Sequence, residues 1–148
     1  MLTYPPLKGD FFMFGENIII GHSVAKIDNK NRVFLPSFTK ATHKDKIIIE
    51  RTEYKSDFAL KLHAYHKYYE LIERIKKLQS TATTLEEFMK FQERIESLCL
   101  FLAAAVNVDS QRRIVIPNHI FQELNWSSEL PVILDGLGDS LLMTQQKK

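Results

Sequence analysis

A single cysteine, Cys99, occurs among the 148 residues of this chain. One thiol excludes an intrachain disulfide framework and fits a reducing compartment. Its place in an apolar run reads as a small buried side chain rather than a nucleophile. Long apolar stretches are missing too: the greasiest segment, Leu98 to Val106, is too short to span a bilayer. The N-terminus lacks a basic stretch followed by an apolar core and a small-residue cleavage site, so no secretory signal is expected. Together these absences predict a cytoplasmic protein. Net charge is scarce as well, at +2, so bulk charge gives little support to nucleic-acid binding.

Catalytic and metal-binding constellations are also wanting. His63 and His66 have a possible metal spacing, but no Cys, Asp or third His nearby completes a set. Ser23 stands beside His22 with no buried carboxylate placed to orient the histidine. Gly136-Leu137-Gly138-Asp139 lacks the third glycine and the following helix of a phosphate cradle, and reads as a turn. Neither enzyme activity, nor a metal, nor any other cofactor is therefore expected.

What is present is a pattern that occurs twice, 81 residues apart. Asp28-Asn29-Lys30-Asn31-Arg32 is followed by Val33-Phe34-Leu35-Pro36. Asp109-Ser110-Gln111-Arg112-Arg113 is followed by Ile114-Val115-Ile116-Pro117. An internal repeat of this kind implies two copies of one unit that pair with each other. Charge is unevenly spread: six basic residues against two acids lie between His22 and Lys46, whereas Glu70, Glu73, Glu86, Glu87, Glu93 and Glu96 crowd the middle. That asymmetry suggests a basic face opposed to a neutral or acidic one.

The coarse order of elements is α+β. Prolines at the start argue against regular structure over residues 1–17, while Phe11, Phe12, Met13 and Phe14 argue for docking, on the body or on a neighbouring subunit. Ile18-Ile19-Ile20 before Gly21 reads as a strand, as do residues 33–35, 47–49 and 58–62. A helical turn is expected within residues 37–42. Then the period changes. Tyr65, Tyr68, Tyr69, Ile72, Ile75 and Leu78 mark an amphipathic helix, and helical spacing favours core packing for the tyrosines over base stacking. Thr84 and Glu87 have the form of a capping box opening a second helix. Its predicted buried stripe is Leu85, Phe88, Met89, Gln92, Ile95, Leu98, Cys99 and Leu102, with the glutamine as weak point. The second copy follows as a strand ending near Val108, a turn, a strand from Arg113, a short helix 118–124, Trp126 as core, and closing strands at 132–134 and 140–143.

Each Asp-x-x-x-Arg unit has two readings. In one it is a turn whose aspartate bonds backbone N–H groups and pairs with its arginine. In the other, Arg32 and Arg113 present planar forked donors to phosphate or to a guanine edge. Lys30 and Arg112 would then add phosphate contacts, while Asp28 and Asp109 hold the arginines in orientation. Recurrence brings the two readings level.

Gly21, the segment Ile27-Asp28-x-Lys30-x-Arg32 with Leu35-Pro36, and Val108-Asp109-x-Gln111-x-Arg113 with Ile116-Pro117 resemble the two halves of an MraZ protein. The likeness covers roughly residues 18–144. It implies two tandem AbrB-like swapped-hairpin β units forming a pseudo-dimeric barrel: a first unit at 18–63, a helical hairpin at 64–102 and a second unit at 103–146, after an extension at 1–17. It further implies a nucleoid-associated transcription regulator of the cell-division and cell-wall operon, assembled as a homo-oligomeric ring on short direct repeats of double-stranded DNA. The alternative is an antitoxin-like or other protein-interaction module of the same superfamily, favoured by the apolar extension. The chain departs from the family pattern at the glycine before each arginine, where it carries Asn31 and Arg112. Asn accepts positive φ with little strain, whereas a left-handed Arg112 costs about 1–2 kcal/mol, so a reshaped second turn is expected. The N-terminal extension is the other departure.

Overall fold

In the computed structural model, described for residue 14 and residues 18–127 and 129–145, the pairing of strands follows the repeat. The first half contributes β1 (His22–Ala25), β2 (Arg32–Phe34), a one-turn 3-10 helix (Ser37–Thr39), β3 (Lys46–Tyr54) and β4 (Asp57–Ala64). Helices α1 (Tyr65–Ser80) and α2 (Leu85–Phe101) intervene. The second half is β5 (Leu102–Asn107), β6 (Arg113–Val115), α3 (Asn118–Leu124), β7 (Val132–Gly136) and β8 (Ser140–Gln145).

Six strands form one sheet in the order β1-β7-β8-β4-β3-β5, and β2 pairs with β6 in a separate ribbon. Neither half closes on itself. The first strand of each half pairs antiparallel with the third strand of the other, β1 with β7 and β5 with β3. Exchanging the halves therefore leaves the strand order unchanged. β4 and β8 meet in the middle, with Lys61 opposite Leu142.

The fold is α+β, as expected, but the sheet does not close into the anticipated barrel: β1 and β5 remain its two edges. The reason lies in β2 and β6. Each is three residues long and is soon followed by a proline, Pro36 or Pro117, whose nitrogen cannot donate to a ladder. These strands pair with each other instead of bridging the sheet edges.

One apolar cluster joins all the parts. Ile47, Ile49, Leu60, Leu62, Val132, Leu134, Leu141 and Met143 project from one face of the sheet, Val33 and Ile114 from the ribbon, and Ile120 and Leu124 from α3. Trp126 packs against this cluster half-buried, in line with its reading as core. Residues of the opposite parity, Ile48 and Leu142, are buried outside that cluster. α1 packs on β3 and β4, and the ring of Tyr68 meets that of His63 at 5.4 Å.

Three expectations need correction. The isoleucine run is not a strand: only Ile19 bridges, to Gly138, while Ile18 and Ile20 are exposed and the strand begins after Gly21. Gly21 (φ +157°) lies under the ring of Phe38, where a Cβ would sit 2.6 Å from Cδ2, and this close approach sets the path into β1. The stripe of α2 is not buried either. Leu85, Phe88 and Met89 are exposed, Leu100 is 75% exposed, and Cys99, read as a core thiol, faces solvent. Amphipathic spacing identified the helix, but α2 packs mainly along α1, which leaves much of its apolar side uncovered. The side chain of Leu102 lies outside the described residues. Finally, of the three tyrosines only Tyr68 is buried.

Gln92, the polar break in that stripe, has a purpose. Gln79 donates to its side-chain oxygen at 2.9 Å and to the Phe88 carbonyl at 3.3 Å. The hairpin is further held by the Tyr68 hydroxyl, which donates to the Leu98 carbonyl at 2.8 Å. Burial first, and then the nearby Glu50 carboxylate, push the Tyr68 phenol up to about 12. The predicted helix start is borne out: the Thr84 hydroxyl accepts from the Glu87 amide at 3.1 Å. In the extension, Phe14 is buried in the core and its amide donates to Asp45 at 3.0 Å. The remaining apolar residues of that segment lie outside the described residues.

Candidate nucleic-acid interface

The two repeated turns are superimposable in their hydrogen bonds. In the first, the Asp28 amide donates to the Arg32 carbonyl and the Asn31 amide to the Asp28 carbonyl, both at 3.0 Å. Asp28 Oδ1 accepts from the amides of Lys30 and Arg32, each at 2.9 Å, and Oδ2 accepts from Arg32 Nε at 2.6 Å. In the second, Asp109 Oδ1 accepts from the amides of Gln111 and Arg113, each at 2.8 Å, and Oδ2 accepts from Arg113 Nε at 2.8 Å. The amide of Asp109 likewise donates to Arg113 and that of Arg112 to Asp109.

The expected reshaping of the second turn does not occur. Asn31 and Arg112 both have φ +60°. The fully used aspartate, together with the bond between the halves, holds Arg112 in the left-handed region despite its Cβ. That bond is reciprocal: the Leu35 amide donates to the Arg112 carbonyl and the Ile116 amide to the Asn31 carbonyl, both at 2.8 Å. Each left-handed residue thus anchors the other half.

These bonds shift both carboxylates below their ordinary range. For Asp28 the Arg32 amide is the main cause, joined by the Arg32 guanidinium and the Lys30 amide against a partial loss of water. For Asp109 the loss of water is the largest single influence and acts upward. The amide and guanidinium of Arg113, with the Gln111 amide, together outweigh it.

The ribbon then sets the two arginines on one face, at its opposite ends. Val33 opposes Ile114 and both are buried on its inner face. Alternation places Arg32, Phe34, Arg113 and Val115 on the outer face, with Arg32 opposite Val115 and Phe34 opposite Arg113. The two ends differ in one respect. The Arg113 guanidinium lies over the Phe34 ring at 5.6 Å, whereas the equivalent neighbour of Arg32 is Val115. Phe34 is 56% exposed and Val115 48% exposed, so the outer face mixes forked cations with bare apolar surface. Each aspartate engages only Nε of its arginine, which leaves the two terminal nitrogens for an incoming acceptor.

All six residues singled out from the sequence therefore lie on this ribbon and its two turns, with Lys30 and Arg112 exposed on the turns themselves. Sequence reading missed Phe34, which it placed only within a strand. It also missed Lys40 and His43, which line a polar cleft beside the second turn with Ser37, Ala41, Thr42, Ser110 and Arg112. A lysine at φ +59° leaves no local trace in sequence.

Elsewhere the candidates fall away. Among the described residues no three His, Cys, Asp or Glu side chains gather as a metal-binding group. His63 Nε2 instead bonds Glu50 at 2.6 Å. No described helix is long and apolar enough to cross a membrane. A scan of the chain against protein-family models finds no match, and a search of the curated proteins finds none.

Proposed function

We propose that this protein is a sequence-specific DNA-binding regulator of transcription, built from two tandem AbrB-like units in the manner of the MraZ proteins. The observation that carries the reading is the ribbon: two aspartate-held arginines on one face, each with a cationic neighbour on its turn. Preorganised guanidinium forks suit the O6/N7 edge of guanine or a pair of phosphate oxygens. The short two-stranded ribbon is narrow enough to approach a groove, and Phe34 and Val115 on its outer face offer apolar contact to a thymine methyl. By the same resemblance the target is a set of short direct repeats ahead of the cell-division and cell-wall operon, read by a ring of identical subunits at the nucleoid. Apolar side chains left bare on the helical hairpin give copies of the chain a surface on which to meet. One ribbon contributes modest affinity, and neighbouring subunits on successive repeats multiply it.

The test is fluorescence anisotropy with a labelled duplex carrying several direct repeats from the protein's own upstream region, against a scrambled duplex, across a salt series. Wild type should bind selectively, with affinity falling steeply as salt rises. Replacing Arg32 and Arg113 together by alanine should abolish selective binding. Replacing both by lysine should keep the salt dependence and lose the preference for the repeats, because a point charge cannot form the bidentate pair. Equal affinity for both duplexes in wild type would reject the reading. The antitoxin-like alternative rested on the apolar extension, and Phe14, its one described residue, packs into this chain's own core.

A further inference from the structure

The two edges of the exchanged sheet are finished differently. On one side the chain before β1 continues the pairing past the strand's own start. There the Gly136 amide donates to the Gly21 carbonyl at 2.9 Å, and Ile19 and Gly138 exchange bonds of 2.8 and 2.9 Å. Ile19 is buried while Ile18 and Ile20 are exposed, so an extended segment seals that edge with one inward side chain. The repeat carries the same positions onto β3. Ala25 opposes Val132, and its counterpart in the repeat, Val106, opposes Ile47, which maps Gly136 onto Arg51 and Gly138 onto Glu53.

At β3 that seal is missing among the described residues. β5 leaves β3 at Glu50, opposite Leu102, because the chain before Leu102 is α2 rather than an extended segment. β3 and β4 nevertheless run on to Tyr54 opposite Asp57, joined by Lys55 and Ser56, both at positive φ. A two-residue turn of this type makes its flanking residues a hydrogen-bonded pair. Alternation then points the amides and carbonyls of Arg51 and Glu53 away from β4, toward the side that β5 has left. An open edge of this kind is a template for a further strand. Beside it lies a groove of about 620 Å³ whose lining includes Glu50, Arg51, Glu53 and Phe58 of the sheet, with Glu123 and Leu124 of α3. Phe58 is 54% exposed. In that lining three carboxylates stand against one guanidinium, and Arg51 is already bonded to Glu123.

We infer that this edge is a docking site for an extended peptide segment of a partner protein, with a branched aliphatic side chain opposite Glu53 and lysine or arginine on either side of it. The form of the occupant is read from the molecule itself, since residues 18–21 fill the equivalent edge in the other half. The incoming strand runs antiparallel to β3, exchanges bonds with the backbone of Glu53 and accepts from the Arg51 amide. Its inward side chain enters the groove over Phe58 and Leu124. A Cβ on Gly136 would meet the Ile19 carbonyl oxygen at 2.4 Å, and β3 carries side chains at both equivalent positions. The incoming strand therefore lies flat along β3 and does not approach as closely as residue 19 does. Basic flanks follow from the carboxylates of the groove, which repel a nucleic-acid backbone. The site is independent of the function proposed for the ribbon.

The probe is a synthetic peptide, capped at both ends, with the sequence of residues 18–21 between lysines, titrated into the isotope-labelled full chain by NMR. Saturable shifts should centre on the amides of Arg51, Glu53, Phe58 and Leu124. N-methylation of the peptide isoleucine equivalent to Ile19 removes a donor and keeps the side chain, and should weaken binding about 10-fold. Glu53→Lys, at an exposed position, should keep the melting temperature, weaken binding about 5-fold at about 0.1 M salt, and prefer a glutamate-flanked peptide. Phe58→Ala should weaken both peptides alike. No saturable shifts at these residues up to millimolar peptide, or binding that ignores N-methylation, would overturn the proposal. So would equal affinity of the wild type for lysine-flanked and glutamate-flanked peptides. A lower mass of Glu53→Lys by light scattering, with no peptide bound by the wild type, would give the edge to a second copy of the chain and overturn it as well.

Discussion

At the scale of single residues, this chain is shaped by side chains that occupy glycine's territory. Arg112 at φ +60° carries a local cost of about 1–2 kcal/mol, partly offset in any glycine variant by the greater freedom of the unfolded chain, about 0.5–1 kcal/mol. Arg112→Gly is therefore expected to raise the unfolding free energy by up to about 1 kcal/mol, and Asn31→Gly by less, since asparagine tolerates the same φ. Denaturant midpoints measured side by side decide it; a loss of stability in Arg112→Gly would mean that the arginine contributes more than its backbone costs. Acid sensitivity belongs to the same turns. Asp28 and Asp109 have folded pKa values below the ordinary 3.8, so their contribution to stability is whole above that value and fades as pH falls through the lowered values. Stability should hold between about pH 7 and pH 5 and drop below about pH 4, and the Asp28→Asn, Asp109→Asn pair should flatten that drop. Thermal melts at closely spaced pH read the difference directly.

At the scale of elements, the glycines that matter are those at which another part of the chain comes too close for a Cβ. A Cβ on Gly136 would lie 2.4 Å from the Ile19 carbonyl oxygen, a rigid backbone atom. Gly136→Ala should therefore cost several kcal/mol, on the order of a core defect, whereas Gly138→Ala meets no neighbouring atom and is opposed only by its φ of +95°. Urea titrations of the two variants should separate them clearly. The helical hairpin offers a milder case: Tyr68→Phe strips the donor from the Leu98 carbonyl and should cost about 1 kcal/mol. These contacts also mark how far the sequence could be read. The two turns were visible because one residue pattern recurs, and the capped start of α2 was visible because Thr84 and Glu87 are local to each other. The exchange of first strands between halves was beyond a residue-by-residue reading, because no property of His22–Ala25 selects Val132–Gly136 as its partner over the nearer β2. For the same reason the isoleucines at 18–20 were read as a strand: branched apolar residues report β tendency, whereas Gly21 and the Phe38 ring above it decide where pairing starts. The Lys40 side of the cleft was invisible, since it depends on two halves meeting.

At the scale of the whole molecule, the palindromic sheet is decorated unevenly: the helical hairpin lies on one side of the exchange, between β4 and β5, with no counterpart after β8 among the described residues. Its bare side chains are concentrated on α2, where Leu85, Phe88 and Met89 recur at helical spacing, with Leu78 and Leu100 exposed nearby in sequence on the two helices. Apolar groups so arranged are stabilised by about 25 cal/mol for each Å² removed from water, and on the proposed reading a second copy of the chain covers them. Phe88→Glu together with Met89→Glu should therefore lower the mass seen by light scattering without lowering the melting temperature, because neither side chain supports the core. On the proposed reading the same variant should keep its affinity for a duplex with one repeat. For a duplex with several repeats it should lose about 100-fold or more, the share that multivalency supplies. A variant of unchanged mass would show that copies meet elsewhere. A variant of lower mass that still binds multiple repeats as wild type does would show that assembly and DNA recognition are independent properties of this fold.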